Sequence, residues 1–363
     1  MCGIVGFCNL KRKLDTNNYT IEKMTSLLNN RGPDEKGFFY NDNIHLGHRR
    51  LTIIDAENGK QPMTKTFGEN TYTICYNGQI YNTNEIKKEL IDNGFSFNGY
   101  SDTEVILNGF IYYGYDIVKK LNGIFSFVIW NNNKKELFLA RDHFGIKPLY
   151  YSIFNDTLIF ASEIKSILAY PGIAPILNDV GICELFGIGP AHTPGLSIFK
   201  NIFEVKPAHF GIYNIDGLKF YKYWQLISLP HTDSFETTCE TVNHLLGDAI
   251  SRQLVSDVSL CDMLSGGLDS SIITAYTSNY CKKNGLPPVE TYSVDYVDND
   301  KNFVKSDFQP NSDNYYINIM VNAFKTNHHK IVIDTPELAE ALEDAMIARD
   351  FPGMADVDSS MLL

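Results

Sequence analysis

The sequence has no long apolar run, no paired cysteine motif and no excess of positive charge. It lacks a stretch of bilayer length, and no basic segment followed by an apolar one occurs at its start. We therefore expect neither a membrane span nor a signal peptide. The net charge of −12 argues against a broad nucleic-acid surface, although a local basic pocket could still bind an anion. Neither nucleic acid nor membrane is an expected partner.

The seven cysteines are scattered, odd in number and without a CxxC pair. This pattern is typical of free thiols in a reducing compartment, and it argues against a zinc cluster or a disulfide framework. The sequence therefore predicts a cytoplasmic protein.

The 363 residues are enough for two globular domains. Residues 2–223 contain clustered β-like segments together with helical ones, which predicts an α+β domain with antiparallel sheets. Residues 224–234 form a polar linker, and Ser234 is placed to cap an amphipathic helix over 235–254. Strands and helices alternate through 235–363, which predicts an α/β domain with a parallel sheet.

Three finer expectations follow from the same patterns. Helical periodicity predicts single helices over 104–121 and 336–349. The polar loop at 298–312 is interpreted as a solvated excursion rather than a mobile lid. The parallel sheet has only three predicted strands and the final residues resemble the middle of a helix, so we expect an incomplete domain from a longer protein.

Cys2 is the most informative residue, because it directly follows the initiator methionine. If Met1 is removed, Cys2 carries both a thiol and an α-amine whose ordinary pKa is roughly 7.7–8.0. One residue can then supply a nucleophile and its base. Taken alone, a cysteine at this position is more often a small apolar residue that enters the first strand.

Two further segments carry chemistry. Arg50 begins the apolar segment 50–54, which we predict to be a strand. A buried arginine there needs either an anionic ligand or a structural salt bridge. The pair Asn77-Gly78 follows a strand and is ordinarily a turn. Its functional alternative is an oxyanion hole, in which the Asn77 amide and the Gly78 N–H bind one oxygen.

Two polar segments have a local explanation as well. Ser101 or Asp102 could cap the helix that follows them, and Asp102 could instead bind a substrate ammonium group. The segment 31–34, Arg-Gly-Pro-Asp, taken alone predicts a turn.

Together, five motifs occur in a fixed order along the first domain. They are Met-Cys-Gly-Ile (1–4), Arg-Gly-Pro-Asp (31–34), Arg-Leu-x-Ile (50–53), Asn-Gly-x-Ile-Tyr-Asn (77–82) and Ser-Asp-x-Glu (101–104). On these motifs the domain resembles the class II glutamine amidotransferases, which have the layered αββα fold of the N-terminal-nucleophile hydrolases. Segments 141–150 and 161–165 extend the resemblance to the glutamine-hydrolysing asparagine synthetase family.

The resemblance implies a role for each motif. Cys2 would attack the glutamine side-chain amide while its α-amine carries the proton. Asn77 and Gly78 would stabilise the oxyanion, Arg50 would hold the α-carboxylate and Asp102 the α-ammonium. The implied pocket also includes Leu51, Thr52, Ile53, Ile54 and Gln79. Gln79 departs from the family, which usually has Glu there, so a carboxylate is lost.

A second constellation begins the predicted α/β domain, at residues 264–271 (Leu-Ser-Gly-Gly-Leu-Asp-Ser-Ser). A strand end, two glycines and a helix start form an anion cradle, although the lysine of a P-loop is missing. The segment resembles the pyrophosphate-binding signature of ATP pyrophosphatases. That resemblance implies ATP-binding roles for Leu264, Ser265, Gly266, Gly267, Asp269, Ser270, Ser271 and Val294, with Asp269 as a Mg²⁺ ligand.

The family resemblance implies a ligase that forms C–N bonds with glutamine as amido donor. It would use ATP and Mg²⁺ to convert aspartate to asparagine through β-aspartyl-AMP. Its partners would then be small molecules, and a homodimer stays open. The later Ser-Gly-Glu-x-x-Asp-Glu segment of the family is missing from these 363 residues. We therefore expect glutaminase residues and half an ATP site, with no asparagine synthesis by this chain alone.

Several alternatives remain at this point. The chain could act only as a glutaminase, or as another amide synthetase of the β-lactam-forming type. It could also be a non-catalytic module that senses glutamine. An amidotransferase that serves sugar-phosphate or purine chemistry is disfavoured by segment 265–271.

Overall fold

Strands with one apolar face build two six-stranded antiparallel sheets in the first part of the chain. The computed structural model describes residues 1–307 and 310–363, which divide into two units, 1–228 and 229–363. The strands of the first unit are β1 Gly3–Asn9, β2 Glu35–Tyr40, β3 Ile44–Arg50, β4 Met63–Phe67, β5 Asn70–Ile80, β6 Gly123–Asn131, β7 Glu136–Arg141, β8 Tyr150–Phe154, β9 Thr157–Ala161, β10 Phe203–Glu204, β11 His209–Asn214 and β12 Gly217–Lys222.

The sheets have the strand orders β10-β8-β9-β1-β3-β2 and β12-β11-β7-β6-β5-β4. Helices are interspersed between these strands. They are α1 Tyr19–Ser26, α2 Thr83–Asp92, α3 Asp102–Tyr113, α4 Ile117–Lys120, α5 Ile164–Leu168 and α6 Asp179–Ile188.

Three apolar clusters hold the first unit together. One lies between the two sheets and includes Ile4, Leu46 and Trp130. The second packs α2 and α3 against the outer face of the β5-containing sheet, and the third packs α1 and α5 against the outer face of the β1-containing sheet. Each sheet therefore buries both faces, which gives the order helix, sheet, sheet, helix. The predicted αββα layering is confirmed.

The second unit contains a three-stranded parallel sheet of order β13-β14-β15, as predicted. Its strands are β13 Cys261–Met263, β14 Glu290–Tyr296 and β15 Asn327–Ile333. Its helices are α7 Phe235–Gln253, α8 Leu268–Lys283, α9 Asn299–Asn302, α10 Asp313–Phe324, α11 Thr335–Glu340, α12 Leu342–Arg349 and α13 Ala355–Leu362. The Ser234 side chain accepts a hydrogen bond from the Thr237 N–H at 3.2 Å, so Ser234 caps α7 as expected.

Three predictions about the bounds of helices and strands were wrong. The helix predicted over 104–121 ends at Tyr113, because Gly114 has a φ of 64° that a continuing helix cannot adopt. The helix predicted over 336–349 is interrupted at Ala341, which keeps helical dihedral angles between α11 and α12. The strand expected over 50–54 ends at Arg50, and the following residues form a loop.

The loop at 298–312 contains α9, and the prediction for Phe308 and Gln309 falls outside the described residues. Within 1–307 and 310–363, none of the helices combines the length and the apolar character needed to cross a bilayer.

Candidate active site

The layer between the two sheets changes from apolar to polar toward one end. Alternate residues of a strand face the same side. Along β3 these residues are Ile44, Leu46, His48 and Arg50, and along β5 they are Cys75, Asn77 and Gln79. Ile44, Leu46 and Cys75 belong to the apolar cluster between the sheets. The candidate site is the polar end of this layer.

Cys2 lies at that end because of the register between β1 and β3. Gly3 pairs with Arg49 in this antiparallel ladder, so Cys2 directly precedes the strand pair. The Cys2 thiol lies 3.7 Å from the Leu51 carbonyl oxygen. Burial raises the pKa of this thiol, although the nearby Arg50 charge opposes the rise. The thiol therefore holds its proton at neutral pH and needs a base before it can attack.

Arg50 is buried, with 4% of its surface exposed, and its guanidinium group is already paired. Nη1 donates to the Glu35 carboxylate and to the Ala56 carbonyl, both at 3.0 Å. Nη2 donates to the carbonyls of Ile54 and Asp55 at 3.2 and 2.6 Å. Four of the five N–H donors are thus directed at protein oxygens. A bound carboxylate would have to exchange with Glu35 or use the Nε–H.

The loop after β3 wraps around this guanidinium group instead of continuing the strand. The Thr52 N–H donates to the Asp34 carboxylate at 2.7 Å, which ties the loop to segment 31–34. Segment 31–34 is itself anchored, because Arg31 Nε lies 2.5 Å from the Glu163 carboxylate. The motifs at 31–34, 50–54 and 161–165 are therefore joined by direct contacts.

Asn77 and Gly78 lie inside β5, so the interpretation of this pair as a turn was wrong. A β-carbon at Gly78 would collide with the Ile124 carbonyl oxygen on β6, which explains the glycine. Asn77 is buried, with 1% exposed, and its amide nitrogen has no hydrogen-bond partner among the described residues. An unpaired buried donor is costly, and so this amide is a candidate ligand-binding group.

Asp102 begins α3, but Ser101 provides the cap by accepting a hydrogen bond from the Thr103 N–H at 3.2 Å. The Asp102 carboxylate instead accepts from the Tyr76 hydroxyl at 2.7 Å and from the Ile80 N–H at 3.2 Å. Burial raises the pKa of Asp102, and these hydrogen bonds oppose the rise. Asp102 is thereby held at the end of the strand that carries Asn77.

His48 joins the two sheets beside these residues and was not predicted from the sequence. Its side chain is 1% exposed, and its Nε2 lies 3.0 Å from the Tyr76 carbonyl oxygen. Burial lowers the pKa of His48 to about 4, so the ring is neutral at pH 7. The alternation along β3 was the available signal, because it places His48 on the same face as Arg50.

The second constellation lies at the carboxyl ends of β13 and β14. A cavity of about 360 Å³ is lined there by Leu264, Ser265 and Val294, among others. The remaining predicted ATP residues, Gly266, Gly267, Asp269, Ser270 and Ser271, do not line this cavity but lie in the adjoining turn and the first turn of α8. The structure therefore divides the predicted set between a cavity and a helix start.

The turn before α8 is suited to a phosphate. Gly267 is the N-cap of α8 and makes no side-chain capping bond. The first-turn N–H groups are thus left for an anion. The hydroxyls of Ser265 and Ser270 lie 3.1 Å apart beside it. Asp269 is exposed, and no cluster of three metal-ligating side chains occurs in the described part of the chain.

The chain is similar to proteins of known families along most of its length. Residues 1–224 match the glutamine amidotransferase domain family, and residues 241–363 match asparagine synthase. The first match covers more than half of the chain, so the chain belongs to the glutamine amidotransferase domain family. The chain is 47% identical over 362 residues to asparagine synthetase [glutamine-hydrolyzing] 3 of Bacillus subtilis, covering 100% of this chain and 59% of that protein.

A second relative is the putative asparagine synthetase [glutamine-hydrolyzing] 2 of Methanocaldococcus jannaschii, which is 32% identical over 364 residues. That alignment covers 94% of this chain and 67% of the relative. The chain therefore belongs to the glutamine-hydrolysing asparagine synthetase family, and the predicted family is confirmed. It spans about 59% and 46% of the length of two of the Bacillus subtilis relatives.

A solved allosteric regulatory enzyme of purine biosynthesis is also similar, with a TM-score of 0.49 and 14% identity. The likeness covers 99% of this chain and 91% of that one, and it says nothing about function.

Proposed function

We propose that this chain takes part in glutamine-dependent synthesis of asparagine. In this proposal the first unit hydrolyses glutamine to glutamate and ammonia at Cys2. The second unit contributes to an ATP site at which the aspartate side-chain carboxylate is activated as β-aspartyl-AMP and then converted to the amide. Family membership supports the overall reaction. The observation that carries the first step is the buried amide nitrogen of Asn77, which has no hydrogen-bond partner in the described part of the chain.

Proton transfer explains why Cys2 has to be the first residue of the mature chain, with a free α-amine. Because burial raises the pKa of the Cys2 thiol, the sulfur needs a base within reach. Removal of Met1 would create an α-amine on Cys2 itself. The amine takes the thiol proton as sulfur bonds to the amide carbon, and it returns a proton to the leaving ammonia. Water then hydrolyses the thioester, which releases glutamate and regenerates the thiol.

The polar groups around Cys2 match the parts of glutamine. The Asn77 amide and the Gly78 N–H would bind the oxyanion that forms during attack. Asp102 would bind the α-ammonium group. Arg50 would bind the α-carboxylate after releasing Glu35, with which it forms an ion pair at 3.0 Å. The loop 51–54 and Gln79 would close the pocket around these groups.

The turn before α8 and the neighbouring cavity fit the parts of ATP. The uncapped helix start with Ser265, Ser270 and Ser271 would bind phosphate, and Leu264 and Val294 would contact adenine. Mg²⁺ commonly uses only one or two carboxylates together with phosphate oxygens, and Asp269 would provide such a ligand. The bound metal would offset phosphate charge.

Other parts of the proposal remain predictions. They are the domain division at 2–223, 224–234 and 235–363, a cytoplasmic location and the small-molecule partners glutamine, aspartate and ATP. The formation of a homodimer is also still a prediction.

The decisive experiment replaces the nucleophile. We expect Cys2→Ala to lower glutamate release from glutamine by about a thousandfold or more, because covalent catalysis is lost. ATP binding, measured by calorimetry, should be unchanged. Cys183→Ala, at an exposed cysteine of the same unit, is the matched control and should retain full activity.

Two outcomes would contradict the proposal. One is glutamine hydrolysis that survives Cys2→Ala, and the other is an intact mass in which Met1 is retained. A glutamine-sensing module would bind glutamine without selective labelling of Cys2 by a glutamine-like electrophile. Amino-acid analysis after incubation with glutamine, aspartate, ATP and Mg²⁺ tests the synthetase step separately.

A further inference from the structure

The segment between β7 and β8 fixes the backbone of Lys147 from both sides. The Asp142 carboxylate accepts hydrogen bonds from the N–H groups of Lys147 and Ile146, both at 2.9 Å. Arg141 Nε donates to the Lys147 carbonyl at 2.8 Å. Arg141 is held in turn by an ion pair with Glu204 at 2.7 Å. Arg141 and Asp142, at the start of segment 141–150, therefore fix the backbone of Lys147.

The Lys147 side chain then extends to the N-terminus of the chain. It is 7% exposed, and its Nζ lies 2.9 Å from the sulfur of Met1. A thioether is only a weak hydrogen-bond acceptor. In the part of the chain that the structure describes, no carboxylate oxygen lies within 4 Å of this ammonium group. A buried charge without a counter-ion is costly, so a purely structural role for Lys147 is a poor explanation.

The charged groups around the N-terminus mostly have partners of their own. Arg31 is paired with Glu163 at 2.5 Å, and Arg50 with Glu35 at 3.0 Å. The groups that interact electrostatically with Met1, Cys2 or Lys147 are Arg31, Asp34, Arg50, Asp102, Asp142 and Tyr76, and the buried neutral His48 lies beside them. Among these cations, Lys147 is the one that touches the first residue without a carboxylate partner of its own.

The electrostatic effects agree in direction with this geometry. Burial lowers the pKa of the Met1 amine, the negative charge available on Cys2 opposes this, and the charges of Lys147 and Arg31 lower the pKa further. Burial also lowers the pKa of Lys147, whereas the negative charge available on Cys2 opposes this. Removal of Met1 would take away the thioether that Nζ contacts and place the new terminus on Cys2, the residue that adjoins Met1.

We propose that Lys147 is a positioning residue for the mature N-terminus, where its ammonium group disfavours a proton on the Cys2 α-amine and favours negative charge on the Cys2 sulfur. This inference rests on the proposed function, since it requires that Met1 is removed. The motif at 141–150 contains Lys147 but did not by itself indicate this role. A neutral amine is the form that can accept the thiol proton, so the cation would keep the base ready at neutral pH.

The test compares Lys147→Met, which removes the charge at similar volume, with Lys147→Arg, which keeps it. The rate of Cys2 alkylation by iodoacetamide is measured against pH by peptide mass spectrometry, without glutamine. We expect the midpoint for Cys2 to move up by about one pH unit in Lys147→Met and to stay near the wild-type value in Lys147→Arg. The exposed Cys183 in the same samples is the internal control and should not change.

A second readout is the pH dependence of kcat/KM for glutamine hydrolysis, whose lower limb should move up by a similar amount. An unchanged alkylation midpoint in Lys147→Met overturns the inference, and so does retention of Met1 in the wild-type protein. If wild type alkylates as expected but releases no glutamate, the proposed function fails while the inference stands. Lys147→Met should melt at no lower temperature than wild type. A lower melting temperature with an unchanged midpoint would show a structural role instead.

Discussion

The two units differ most in how much apolar surface they bury. The first unit has three apolar clusters, and both of its sheets are covered on both faces. In the described part of the second unit the buried apolar residues are Leu264, Val289, Ile317, Ile333, Ala341 and Ala345. Its longest helix, α7, has no buried residue. Burial of apolar surface is the main favourable contribution to folding, so the first unit has the larger internal source of stability.

The same difference separates the two candidate sites. In the first unit, Arg50 and Asn77 are buried, and desolvation changes the pKa of Cys2 and Asp102. In the second unit the turn before α8, which we propose binds phosphate, is open, and Asp269 is exposed. A buried site fixes protonation states and donor positions before the ligand arrives, whereas an open turn relies on the ligand for much of its order.

Two helical leucines test the comparison most strongly. Leu107 on α3 is fully buried, whereas Leu245 on α7 is 58% exposed. We expect Leu107→Ala to lower the free energy of unfolding of the first unit by about 2–5 kcal/mol, and Leu245→Ala to change that of the second by about 0.5 kcal/mol or less. Urea unfolding followed by tryptophan fluorescence reports the first unit, which contains both tryptophans, and circular dichroism reports the whole chain. Equal losses would break the comparison.

The proposed role of Asn77 as an oxyanion donor sharpens the comparison of the two units further. We expect Asn77→Ala to lower kcat for glutamine hydrolysis by about 10²–10³-fold, with a smaller effect on KM, because the amide acts on the oxyanion of the transition state. Ser126 lies opposite Asn77 on β6, and its hydroxyl is also buried without a described partner. Ser126→Ala is thus the matched control. A similar loss in both variants would point to packing rather than to oxyanion binding.

The smallest effect concerns the pH dependence of stability in the first unit. Burial lowers the pKa of His48 from 6.5 to about 4, so between these values the unfolded chain binds a proton that the folded unit does not. The contribution of His48 is fully present above pH 6.5 and is lost as the pH falls toward 4. It is about 3 kcal/mol at most, at 1.36 kcal/mol for each pKa unit.

We expect His48→Gln, which keeps an N–H donor for the Tyr76 carbonyl, to flatten the dependence of the unfolding free energy on pH in this window. Urea unfolding at pH 4.5, 5.5 and 7 measures the effect. His231→Gln, at an exposed histidine of the second unit, should leave the slope of the first unit unchanged. An equal slope in wild type and His48→Gln would show that other groups cause the acid sensitivity.

Much of the fold could be predicted from local patterns. Clusters of apolar strands indicated the αββα unit, and strand–helix alternation indicated the parallel sheet, because these periodicities depend on near neighbours. Gly114 was visible as a glycine within a helical pattern, but a single helix over 104–121 was still predicted, because Gly109 belongs to the same pattern and lies inside α3. The end of β3 at Arg50 was not visible, because the apolar residues 51–54 continue the strand pattern. What ends the strand is the guanidinium group, around which the chain turns to offer the carbonyls of Ile54, Asp55 and Ala56.

The candidate site was predicted unevenly for a similar reason. Motif order pointed to Cys2, Asn77 and Asp102 as candidate residues, but not to the contact between Lys147 and the first residue, which are 146 positions apart. Motif order also could not show that the Glu35 carboxylate accepts a hydrogen bond from the Arg50 guanidinium group. Contacts of this kind depend on strand register and loop path, and these are set by many side chains at once.

The sequence by itself determined which residues carry a nucleophile, an amide donor and charged groups, and which strand faces they share. The tertiary structure alone decided which of those groups are paired, which are buried without a partner and how strongly each holds its proton. The physical reason is that a chemical group belongs to its residue, whereas its desolvation and its electrostatic field come from all the neighbours that folding brings around it.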